Sequence, residues 1–361
     1  MKTTIKIAGL LLFLLTGQIA FGQDNKEKAL EKGLEAIQLM DEGKFDESIK
    51  LLKQAQKLDP KRYDYPYEMA YAHYAQGDFK GAIKILEKLS DHKDVTDRLF
   101  QLLGNAYDVI DNSEKAFEVY DAGLEKFPNS GALYLEKGNV YWGKEEYAEA
   151  IPYYEKGIEV DPGFASNYYR AARIYLNSTE EIWGMIYGEL FMNIERNTAR
   201  TAEISEMLFA TYESEISFTS DSSIAVSFCQ SMTMSIDALS AGKEMVLPFC
   251  MIYEPTLLIG IVFEKSLDIN SLDRIRNGFI ENYFKMGHNK THPNILFDYQ
   301  NEILKAGHLA SYNHWVLMKG DEDKFDIWVE ENEEKWTEFV TWFTDNGLKV
   351  NDSNKFYSGQ Y

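Results

Sequence analysis

The sequence predicts a mainly all-α fold, an α-α superhelix of helical hairpins followed by a second, mostly helical domain. Three observations predict it. A pattern of small and bulky residues recurs every 34 residues from Ala29 onward. Prolines at Pro60, Pro128 and Pro162 close repeats of that period, as expected where a helix must stop. Beyond Thr179 the period disappears, but amphipathic helical patterns continue.

The chain of 361 residues is 45% hydrophobic and 14% aromatic with 8 prolines, so most of it should fold. Its formal charge of −21 makes nucleic acid and anionic lipid poor partners and favours a soluble, self-repelling surface. Residues 1–22 open with Lys2 and Lys6, continue with an apolar run from Ile7 to Leu15, and end in the small residues Ala20 and Gly22. That is the pattern of a signal peptide cleaved before Gln23, and it predicts export to the periplasm or secretion. The apolar run is too short to span a bilayer, and LPFCMIYEPTLLIGIVF is broken by Glu254 and Pro255, so no membrane span is expected. In an oxidising compartment Cys229 and Cys250 can pair in an intrachain disulfide; the alternative is two buried thiols.

Repeats start at Ala29, Tyr63, Asp97, Gly131 and Ala165. Their eighth positions hold Ala36, Ala70, Gly104, Gly138 and Ala172, and their twentieth positions hold Ser48, Ala82, Ala116, Ala150 and Gly184. Small side chains there let two helices approach closely. Bulky residues fill the space beside them: Leu39, His73, Tyr107, Tyr141 and Tyr175 at the eleventh position, and Leu52, Leu86, Tyr120 and Tyr154 at the twenty-fourth, until Gly188 breaks the series. Gly43 with Phe45, Gly77 with Phe79, and Glu145 with Tyr147 mark the turns between helices. The fifth repeat keeps only its first helix, which puts the array at 23–178 and a C-terminal domain at 179–361.

The segment Gly131 to Pro162 carries Tyr134, Gly138, Tyr141, Tyr147, Ala150, Tyr154 and Pro162 at the spacing of the tetratricopeptide repeat, and the array resembles that family over about 40% of the chain. The resemblance implies a concave groove lined by the second, fifth, ninth and twelfth positions of the first helices. Carried over, these are Tyr67, Tyr71, Tyr74, Gln101, Asn105, Asp108, Leu135, Asn139, Trp142, Tyr169 and Arg173. Rings supply contact area and amides bond a backbone, so the implied ligand is an extended peptide or another protein's segment. Some members grip a terminal carboxylate with lysine, asparagine and arginine; Asn105, Asn139, Arg170 and Arg173 resemble part of that clamp, without its lysines.

After the array, EEIWGMIYGELFMNIERN and TAEISEMLFATYESEI read as joining helices. SIAVSFCQSM and EMVLPFCMIY are compatible with a short β-hairpin or with buried helix. Helices are expected over 271–285, 294–305, 309–318 and 324–343, the last with Trp328, Trp336, Phe339 and Trp342 on one face. No family is attached to this region.

Catalytic signals are weak. GNVYWGK at Gly138–Lys144 nearly spells a phosphate loop, but Glu145 replaces its hydroxyl residue and both glycines have repeat roles. His288 and His292 are weak metal candidates, with Asp298 or Glu302 to complete a set, although Gly287 and Pro293 argue for an ordinary loop. The acidic run from Asp321 lacks the glycine and the closing glutamate of a calcium loop. No G-x-S-x-G is present. The expected function is a non-enzymatic scaffold or adaptor of the bacterial envelope, with no catalytic residue and no cofactor. The alternative is an exported enzyme or metal-binding protein whose site lies in the C-terminal domain.

Overall fold

The computed structural model describes residues 4–220, 223–230 and 247–360. It consists of two compact units, Met1–Pro128 and Asn129–Tyr361.

The first unit is three helical hairpins: α1 (Thr4–Asp41) with α2 (Phe45–Leu58), α3 (Asp64–Ala75) with α4 (Phe79–Leu89), and α5 (Asp97–Val109) with α6 (Ser113–Lys126). Each turn places one residue in the left-handed region: Gly43 at φ 75°, Gly77 at 84° and Asp111 at 61°. Glycine adopts that conformation without strain, whereas aspartate accepts a modest cost. Asp78 caps α4 by accepting from the Gly81 amide at 2.9 Å and also meets His73 Nδ1 at 2.8 Å. The eighth and twentieth positions are sealed, with Ala36, Ser48, Ala70, Ala82 and Ala116 all at 0% exposure. A Cβ built on Gly104 would come within 2.1 Å of the edge of the Tyr120 ring, so a larger residue there would force the ring or the helix to shift.

The second unit begins with α7 (Gly131–Gly143) and α8 (Tyr147–Val160), joined through Glu145 at φ 60°. A Cβ at Gly138 would likewise clash with its partner ring, coming within 2.4 Å of Tyr154. The segment that resembles a phosphate loop is therefore helix packed on an aromatic ring. α9 (Ala165–Tyr175) pairs with α10 (Glu181–Ile194), so the fifth hairpin is complete, contrary to the sequence expectation that it keeps only one helix. α11 (Ala199–Glu215) then starts 34 residues after α9, where a sixth first helix would start.

α10 is buried over nearly its whole circumference, as its composition EIWGMIYGELFMNI demands. Inside it Glu189 faces Arg276 at 2.7 Å, both side chains being over nine-tenths buried. Arg276 also donates to Asn313 at 2.8 Å and to the Tyr212 hydroxyl at 3.1 Å, while Gln300 donates to Glu189. The charges are thus paired and hydrogen-bonded, the condition under which burying them is tolerable.

These partners come from α11, α13 (Ile269–Lys285), α15 (Ile295–Lys305) and α16 (Leu309–Leu317). Between α11 and α13 lie a two-stranded antiparallel hairpin, β1 (Ile216–Ser220) and β2 (Ser223–Val226), and α12 (Phe249–Ile261). Phe218 pairs with Ile224. The second β-compatible run is helical from Phe249, with Pro248 as the N-cap; Glu244–Val246 lies outside the described residues. α12 settles closely on α13, where a Cβ at Gly260 would come within 2.8 Å of the Ile275 carbonyl. Cys229 and Cys250 form a disulfide with Cα atoms 6.3 Å apart.

α14 (His288–Thr291) is a single turn. The expected helix over 324–343 is two, α17 (Glu322–Glu331) and α18 (Glu333–Asp345). Asn332 ends the first by donating its side-chain amide to the Trp328 carbonyl at 2.9 Å. The C-terminal tail returns to α8 and α10: Phe356 is buried against Trp183 and Phe249, and Lys355 donates to the Glu159 carbonyl at 2.7 Å. Ser358 donates its amide to the Tyr187 hydroxyl at 2.7 Å and its hydroxyl to Glu155.

Gly138→Ala should cost about 1–3 kcal/mol in denaturant unfolding, the usual range for overpacking. Adding Tyr154→Leu should return most of that loss, because Ala with Leu is the pairing at Ala36/Leu52 and Ala70/Leu86. An unchanged midpoint in the single variant would refute the close-approach account.

Candidate functional site

The eleven groove positions divide between the units. In the first, Tyr67 stacks on Tyr63 with centroids 5.7 Å apart, Tyr74 meets Phe79 edge-on at 5.2 Å, and Tyr71 is 46% exposed. Gln101 is half-buried. Asn105 accepts from the Tyr120 hydroxyl at 2.6 Å, and Asp108 accepts from Ser113 Oγ at 2.9 Å. Asn139 in the second unit repeats the Asn105 arrangement, accepting from Tyr154 at 3.1 Å, and its amide donates to Glu136 at 2.9 Å. The tyrosine at the twenty-fourth position of each of these hairpins thus fills the core with its ring and holds a groove amide with its hydroxyl.

In the second unit Trp142, Tyr169 and Arg173 belong to an alternating ladder of guanidinium groups and rings. Arg200 stands 4.9 Å from the Tyr169 centroid, Arg173 lies 5.4 Å from Tyr169 and 4.9 Å from Trp142, and Arg170 lies 4.7 Å from Trp142. Guanidinium groups on aromatic faces are attracted by the ring quadrupole and keep their N–H edges for other partners. Glu203 of α11 accepts from the Tyr169 hydroxyl at 2.6 Å and pairs with Arg173 Nε at 3.0 Å. Burial, and then that hydrogen bond, push the Tyr169 phenol above its ordinary range. Arg200 is paired with Glu195. Leu135 is buried at 9% exposure, so it supports the groove wall more than its surface.

A half-open cavity of about 720 Å³ adjoins the ladder. Its walls include Trp142, Tyr147, Ile151, Ile174 and Met207, with Arg173 and Glu203 at one side and Asn177, Ser178 and Glu180 beyond the end of α9. Glu203 and Met207 occupy the fifth and ninth positions of α11 counted from Ala199, the same positions that Tyr169 and Arg173 hold in α9. Extending the period by one more helix would have nominated both.

The C-terminal candidates lie elsewhere. His292 is buried, with Nε2 2.7 Å from the Leu247 carbonyl and Nδ1 3.0 Å from the Thr291 hydroxyl. Burial, and then the neighbouring His292, lower the His288 pKa. Among the described residues neither histidine joins a group of three metal-ligating side chains; the one such group is Glu180 with the disulfide-bonded Cys229 and Cys250. Asp321 caps α17, accepting from the Lys324 amide at 3.3 Å.

Near the disulfide, Glu181 opens α10 and is buried, and its Oε2 meets no hydrogen-bond partner among the described residues. Burial above all, reinforced by Glu215, Glu180 and Glu254, pushes its carboxyl up to about 7. Its folded pKa therefore exceeds the unfolded value of 4.5. The stability it contributes is complete below that lower value and is lost as pH rises through about 7. The melting temperature should accordingly fall as pH is raised across that window, and Glu181→Gln should remove much of the fall. An identical pH slope in wild type and variant would show that Glu181 does not titrate there.

Residues 39–106 and 132–164 match tetratricopeptide repeat family models. No curated protein matches the chain. Similar solved structures include MamA, at 23% identity over 44% of this chain and 93% of that one with a TM-score of 0.36. PilF of Pseudomonas aeruginosa is 17% identical over 53% of this chain and 86% of its own, with a TM-score of 0.43. A thermophilic repeat protein of Thermus thermophilus is 16% identical over 50% of this chain and 98% of its own, with a TM-score of 0.41.

Proposed function

We propose, this chain being a tetratricopeptide repeat protein, that it is a non-enzymatic scaffold of the cell envelope whose first-helix face takes an extended segment of another protein. The observation that carries this reading is the half-open cavity beside Trp142, walled by rings and aliphatic side chains and edged by the arginine ladder. Such a surface offers apolar contact area with a few oriented polar groups, which is what recognition of a peptide requires. The first unit, taken by itself, offers similar chemistry at the exposed Tyr71 and the half-buried Tyr67 and Tyr74.

Export is part of the proposal. It is supported by the basic and then apolar opening of the chain and by a disulfide of the kind that persists in oxidising compartments. No helix among the described residues is long and apolar enough to cross a membrane. The cleavable segment ending at residue 22 remains part of the same proposal, whereas a domain limit at 178 does not, because α9 and α10 form one hairpin across it.

A photoreactive phenylalanine analogue at Tyr71 or Trp142 in the full chain should crosslink to a protein segment. The same probe at Glu125 or Lys156, on second helices, should not. Capture at Glu125 and Lys156 with none at Tyr71 and Trp142 would place the working surface elsewhere.

A further inference from the structure

The ladder has one member unlike the others. Arg173 is neutralised by Glu203 and Arg200 by Glu195, whereas Arg170, stacked on Trp142, lies within ion-pair distance of no carboxylate among the described residues. Glu203 already serves both Tyr169 and Arg173, so it is poorly placed to serve a third group. A segment laid across Trp142 would take water away from Arg170, and a cation removed from water without a counter-charge is costly. An occupant of this surface must therefore bring the missing negative charge.

We infer that the partner segment carries a bulky apolar side chain, leucine, phenylalanine or tryptophan, with an aspartate or glutamate one or two residues from it. The apolar side chain fills the cavity between Tyr147, Ile151, Ile174 and Met207, and the carboxylate bonds to the Arg170 guanidinium. This rests on the peptide-binding reading of the groove and adds the chemistry of the recognised sequence. The two parts reinforce each other. The cavity of about 720 Å³ has room for two or three side chains, and Trp142 forms both its wall and the platform beneath Arg170. A planar guanidinium pre-oriented on an indole loses little freedom on bonding a carboxylate, and such charge-assisted bonds are among the stronger polar contacts. A lysine at the same place on the segment would face a like charge and be rejected.

The test uses synthetic peptides with one central tryptophan in a Gly/Ser background and Asp, Asn or Lys at each of the two positions on either side. Binding to the full chain is read by fluorescence anisotropy. At one placement the Asp peptide should bind about tenfold or more tighter than its Asn counterpart, the difference expected of one charge-assisted bond, and the Lys peptide should not bind. Arg170→Gln should abolish the difference between the Asp and Asn peptides. Ala148→Trp, at an exposed position on the cavity wall, should abolish both while the circular dichroism stays native. Tryptophan peptides that bind regardless of flanking charge would overturn the inference and leave the groove reading standing. Absence of binding by every peptide overturns it as well; if crosslinkers at Tyr71 and Trp142 then also capture nothing, the groove reading falls with it.

Discussion

The closeness of the two helices within each hairpin is the constraint on which the rest depends. Where the twenty-fourth residue is tyrosine, the eighth is glycine, as in Gly104 with Tyr120 and Gly138 with Tyr154; where it is leucine, the eighth is alanine. The volume at each crossing is held constant by exchanging size between partners, as close-packed interiors require. The tyrosine hydroxyls then reach Asn105 and Asn139 on the groove face. Core packing and the orientation of groove amides are thus set by the same side chains.

A second constraint holds the later part of the chain. α10 is the second helix of the fifth hairpin and also the central helix of the bundle that follows, and Glu189 on it is tied to Arg276, with Gln300, Tyr212 and Asn313 completing the network. Replacing such a network with apolar residues is often harmless to stability, whereas removing one partner strands a charge. Its consequence here is positional: α11 is fixed beside α9, so that Glu203 can neutralise Arg173 and Met207 can wall the cavity. The C-terminal tail fastens α8 to α10 through Ser358, while Phe356 packs on Trp183 of α10.

The array was legible because its signal is periodic: ten small positions and their bulky neighbours recur in one phase. Even there, the fifth hairpin was cut short, since Gly188 breaks the series at the twenty-fourth position and α10 is apolar all round, which hides a face. α11 keeps the phase but has Glu206 in place of a small eighth residue, so the repeat pattern does not mark its groove residues. Past residue 216 the signals were local. An apolar run such as PFCMIY is compatible with strand or buried helix until its packing partner is known; here it opens α12, which packs closely on α13 at Gly260. Asn332 divides a seemingly continuous helix with one side-chain bond. The burial of Phe356 depends on partners more than a hundred residues away, Trp183 and Phe249, and no local pattern announces it.

Hydrogen exchange of the full chain with and without a bound peptide tests the central claim most directly, because it reads every helix at once. The account predicts added protection in α7, α9 and α11, whose side chains form the ladder and cavity, and little change in α12 or α17–α18. Added protection centred on α12 or α17–α18, with α7, α9 and α11 unchanged, would contradict it.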